Sequence, residues 1–100
     1  MINHTVLFKV KDFQQPEDKK AALEEIKAAL MGLEGQIEQL RHIEVQLHYT
    51  LQSDSFDVAL ITHFDSIADV DIYQVHPLHQ DAVKVVKQYA VGRACVDFEF

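Results

Sequence analysis

The sequence predicts an α+β fold in which one antiparallel four-stranded sheet is covered by helices on a single face. Three observations predict it. Segments at His4–Lys11, Arg41–Leu51, Phe56–Phe64 and Ala94–Phe100 alternate with the period of two that a strand needs. Two intervening segments place apolar residues at helical spacing instead. The resulting order is β-α-β-β-α-β, in which strands joined by helical crossovers lie parallel and right-handed, leaving the others to pair antiparallel.

In the first strand Ile2, His4, Val6, Phe8 and Val10 share one parity, and Asn3, Thr5, Leu7, Lys9 and Lys11 share the other. A polar break at Asp12–Gln15 leads to Pro16, Glu17 and Asp18, a proline and two acids suited to a helix's first turn. Leu23, Ile26, Leu30 and Leu33 then recur at helical spacing, and Gly32 and Gly35 are good terminators, so the helix is expected from Pro16 to about Gly32.

In the second strand Ile43, Val45, Leu47, Tyr49 and Leu51 oppose His42, Glu44, Gln46, His48 and Thr50. The polar turn Gln52–Ser55 makes the next strand its hairpin partner. There Val58, Leu60, Thr62 and Phe64 form one face and Asp57, Ala59, Ile61 and His63 the other. Ser66 followed by Asp69 starts a short helix in the manner of a capping box. Pro77 starts another, which is expected to end at Gly92 before the strand Ala94–Phe100. This is the ferredoxin-like arrangement. Its open face is expected to carry Thr5, Leu7, Gln46, His48, Ala59, Ile61, His63 and Cys95, a half-apolar surface that calls for dimerisation.

One hundred residues, 48% of them hydrophobic, suit one domain over 1–100 with a real core. The longest apolar runs are too short to cross a bilayer, and the start has no secretory signal pattern. Cys95 is the only cysteine, so a reducing, cytoplasmic location is expected. A net charge of −7 opposes binding to nucleic acid or to anionic membranes. The third strand also lacks the aromatic and glycine signature by which RNA-binding domains of this topology stack bases.

The stretch with the most chemistry is Tyr73-Gln74-Val75-His76-Pro77-Leu78-His79, which sets a phenol and two imidazoles around a proline. Pro77 pushes His76 out of helical geometry and places His79 in the first turn of the next helix. Positive potential there disfavours a charged imidazole, so His79 is expected to be neutral near pH 7. His76 is expected to bond the helix junction.

Together with His4-Thr5-Val6-Leu7-Phe8-Lys9 and Ala59-Leu60-Ile61-Thr62-His63-Phe64-Asp65-Ser66, this stretch resembles the stress-responsive A/B-barrel (Dabb) domain family over nearly the whole chain. The resemblance implies ferredoxin-like chains that pair into a dimeric α+β barrel. Most members have no assigned reaction. One branch cyclises linear polyketides with the tyrosine and second histidine of this motif, roles that would fall on Tyr73 and His79 with His4 lining the same cavity. That branch has a further histidine early in the third strand, where this chain has Val58.

The expectation is therefore a homodimer binding a small, largely apolar molecule between sheet and helices, with His4, Tyr73, His76 and His79 as ligand-binding residues. An alternative is a cyclase- or isomerase-like enzyme in which His79 moves a proton and Tyr73 orients an oxygen. Another is a purely structural dimer with a filled core. His76, His79 and His4 lack the thiolates or close acid grouping of a strong zinc site, so no metal and no cofactor is expected.

Overall fold

β1 (Ile2–Val10), α1 (Pro16–Met31), β2 (His42–Leu47), β3 (Val58–Phe64), α2 (Ile67–Val75), α3 (Pro77–Lys87) and β4 (Ala90–Glu99) follow one another along the chain, and the computed structural model describes all of residues 1–100. The strands lie in the order β2-β3-β1-β4, and every neighbouring pair is antiparallel. This is the ferredoxin-like β-α-β-β-α-β arrangement, with the second crossover broken into two helices at His76-Pro77.

The helix-facing parities of β1, β2 and β3 are as expected. Val6, Val45, Val58, Leu60, Thr62 and Phe64 are all buried, and they pack against Leu23, Ile26 and Leu30 of α1 and Val70 and Tyr73 of α2. Each fully buried aliphatic of this kind contributes about 1.5–3 kcal/mol. The thread is fixed locally by caps. The Ser66 hydroxyl accepts from Asp69 N–H at 3.2 Å, and His76 Nδ1 accepts from Leu78 N–H at 3.1 Å, so His76 both ends α2 and caps α3.

β4 departs from expectation in its start and in its faces. α3 ends at Lys87, not at Gly92, and Gly92 lies inside β4 opposite Lys9. A Cβ on Gly92 would stand 3.2 Å from Lys9 Cβ, beside a register shift between Lys9 and Val10, so close strand approach explains this glycine. The ladder sets Val6 opposite Cys95 and His4 opposite Asp97. Arg93, Cys95 and Asp97 therefore share the helix side of the sheet, and Ala94, Val96 and Phe98 lie on the open face with Leu7, Thr5 and Asn3. Cys95 is thus not an open-face residue. The alternation of β4 is real, but its apolar parity faces outward because this edge strand lies at the margin of the helical layer.

β2 is shorter than expected, and His48 falls beyond it, bonded to Thr50 and Ser53 within the following loop. That loop is anchored by Asp57, which is 1% exposed. Its carboxylate accepts from Val10 N–H at 2.9 Å and pairs with Lys19 Nζ at 3.0 Å. Lys19 Nζ also donates to Leu51 O, and Lys9 Nζ to the carbonyls of Ser53 and Ser55.

Candidate functional site

A cavity of about 350 Å³ opens between the sheet and α3. Val6 and Leu60 from the sheet, Leu30 from α1 and Val86 from α3 form its apolar wall, and His4 and His79 line it as well. A volume in this range with an apolar lining and few polar groups is that of a small-molecule site.

His79 is placed by the helix break. Pro77 occupies the first position of α3, which leaves His79 in the first turn beside the end of α2. Gln74 O lies 3.0 Å from His79 Nδ1 and accepts a hydrogen bond from its N–H, which in the neutral imidazole leaves Nε2 unprotonated. The imidazole pKa is lowered, first by burial, then by the charges of His4, Arg93 and His76, against the raising effect of the Gln74 carbonyl. The expected neutral form is therefore favoured, with desolvation as its main cause.

His4 is buried, and its Nδ1 is hydrogen-bonded to Asp97 Oδ1 across the β1–β4 ladder. Asp97 is the partner that sequence reasoning missed, because the assumed parity of β4 turned it to the other side. Cys95 Sγ lies 3.6 Å from His4 Nδ1, and the three ligand-type atoms fall within 4.8 Å of one another. Burial and Asp97 push the Cys95 thiol pKa up, which keeps it protonated and a poor nucleophile.

Tyr73 is fully buried between Phe64, at 5.0 Å between ring centroids, and His79, at 4.3 Å. Its hydroxyl has no hydrogen-bond partner, and burial raises its pKa to about 12. The phenol does not line the cavity; it backs the His79 ring. His76 does not line it either, since its imidazole is turned to the backbone of α3. The structure thus brings His4 and His79 to one cavity, sets Tyr73 behind them and leaves His76 at the junction. Gln74, Lys87 and Arg93 line the same space, and none of them carried a signal in the sequence.

The family model of the stress responsive A/B barrel domain matches residues 2–100. An uncharacterized protein of Streptomyces coelicolor, SCO4036, is 32% identical over 100 residues, covering 100% of both chains. A dimeric protein of unknown function with a ferredoxin-like fold from Bacteroides fragilis superposes with a TM-score of 0.89 at 36% identity, over 99% of this chain and 95% of that one. A dimeric ferredoxin-like protein of unknown function from Thermobifida fusca gives 0.82 at 25% identity, over 99% and 90%.

Proposed function

The chain belongs to the stress responsive A/B barrel domain family, and from that premise we propose that it is a homodimer that binds a small, largely apolar molecule in the cavity between its sheet and α3. The observation that carries the reading is the cavity itself, apolar in its walls and reached by only a few polar groups. A purely structural dimer would fill that space with side chains.

Dimerisation is supported by the open face of the sheet. Leu7, Ile61, Ala94, Val96 and Phe98 lie there together, and Val96 and Phe98 are exposed. A chain of this size leaves such a surface bare only at a cost in solubility. The similar Bacteroides and Thermobifida proteins are themselves dimeric. Leu7→Lys combined with Ile61→Lys should give monomers or unfolded chain, read by sedimentation, and a wild-type monomer at micromolar concentration would overturn the assembly. The same reading includes a cytoplasmic location and no affinity for nucleic acid.

Proton transfer is a second reading, favoured by a His79 that lines the cavity and whose Nδ1, bonded to Gln74 O, leaves Nε2 without the proton in the neutral form. An unprotonated imidazole nitrogen is what a general base requires. Tyr73 would act through the ring of His79, since its hydroxyl does not reach the cavity. Native mass spectrometry with a metabolite mixture tests binding, and His79→Ala on any substrate so found tests the base. Loss of roughly a hundred- to ten-thousand-fold in turnover is expected if His79 is that base. Full activity of the variant, or tight binding with no turnover, would leave the binding protein alone.

A further inference from the structure

The cavity has a charge character that the rest of the protein does not share. The chain holds 16 acidic and 9 basic residues, yet no aspartate or glutamate lines the cavity, whereas Lys87 and Arg93 both do. Neither cation is in a salt bridge, although Lys9, Lys19, Arg41 and Lys84 each have a carboxylate within reach. The nearest acid along β4 on the same side is Asp97, roughly 13 Å farther along the strand, and it is engaged by His4. Arg93 is therefore an exposed guanidinium at the edge of an apolar space, in contact with the Cys95 thiol and with no carboxylate partner.

Its position is set by the fold. Arg93 stands opposite Phe8 in the β1–β4 ladder, on the helix side of the sheet, next to the glycine that lets the two strands approach. Its charge is one of the smaller influences that lower the His79 imidazole pKa, after burial and His4. Lys87 approaches from the last turn of α3, where a lysine also complements the helix dipole, so Arg93 is the more specific of the two. A guanidinium presents paired donors that match a carboxylate edge.

Accepting that the cavity is a binding site, we propose that its ligand class is an apolar monoanion, a carboxylate on a hydrocarbon body. The hydrocarbon packs among Val6, Leu60, Leu30 and Val86, and the carboxylate meets Arg93 with Lys87 beside it. The overall field of a protein with a net charge of −7 opposes such a ligand. A preference for it must then come from the local cations.

Decanoate, decanol and decylamine, each below its self-association concentration, separate the possibilities by calorimetry on the intact protein. The expected order is decanoate tightest, by roughly tenfold or more over decanol, as a charge-assisted pair provides, with decylamine weakest. Arg93→Gln should collapse the decanoate-to-decanol ratio, and Arg93→Lys should keep part of it. Raised salt should narrow the ratio as well. Decanol equal to decanoate, or decylamine tightest, would overturn the ligand class while leaving the cavity a binding site. A ratio unchanged in Arg93→Gln would overturn the role of Arg93. Binding of none of the three would remove the cavity reading together with the ligand class.

Discussion

The Tyr73 hydroxyl is a buried dipole without a partner, and Tyr73→Phe removes it while leaving the ring between Phe64 and His79. A hydroxyl taken from water into an apolar surrounding without a compensating bond costs about 1–3 kcal/mol on the scale of protein variants. The residue is 0% exposed, so the whole penalty applies in the folded state and none in the unfolded one. The variant should therefore be more stable by about 1–2 kcal/mol, with a Tm higher by about 4–8 °C for each of those kcal/mol. Urea unfolding of both proteins, with equal m values, measures the difference directly. The premise can be checked independently. With a folded pKa of about 12 against 10.0 in the unfolded chain, the unfolded form loses the phenolic proton first. Stability from this group is intact below pH 10 and is lost as pH rises through the folded value. A Tyr73→Phe protein less stable than the parent by about 1 kcal/mol would mean that the hydroxyl has a strong partner in solution, and would refute the reasoning.

Asp57→Ala should destabilise the fold by about 3–5 kcal/mol, because it leaves the Val10 N–H without its acceptor and the Lys19 ammonium without its counter-charge; chemical unfolding checks this. Stability should also fall on acidification. Burial lowers the folded pKa of His79 below the ordinary imidazole value of 6.5, and burial with His42 does the same to His63. Below that value the unfolded chain binds more protons, so the contribution is present above it and is lost as pH falls toward the folded pKa. Replacing His79 by glutamine should flatten the stability profile between pH 7 and 5, and an unchanged slope would show that the imidazole is not desolvated.

Most of the frame was legible because three strands have one plainly apolar parity. Val58, Leu60, Thr62 and Phe64 could only face the helices, and they do. The His76-Pro77 break was equally legible, since proline chemistry acts within a residue or two. β4 was not. Its two parities, Ala94-Val96-Phe98 and Cys95-Asp97-Glu99, differ in polarity, but an edge strand need not turn its apolar side to the same layer as its neighbours. The face is chosen by the ladder to β1 and by the shift at Lys9/Val10, which are contacts across most of the chain and leave no local trace. For the same reason the His4–Asp97 bond and the place of Arg93 in the cavity wall could not be read from spacing. Asp57 was hidden differently: a carboxylate next to a strand reads as surface until its two lysines are brought to it from β1 and α1.

The sheet order leaves β4 hydrogen-bonded on one side only, and Ala90, Val91, Gly92 and Arg93 are at once the start of that strand and part of the cavity wall. The ladder is already interrupted there, between Lys9 and Val10. Fraying of a few edge bonds would therefore reshape the cavity wall, while the core formed by Ile26, Leu30, Val45 and Phe64 stays closed. Local opening of this kind costs less than global unfolding. The shape of the cavity wall and the resistance of the protein to denaturant are thus separable properties, set by different parts of the same sheet.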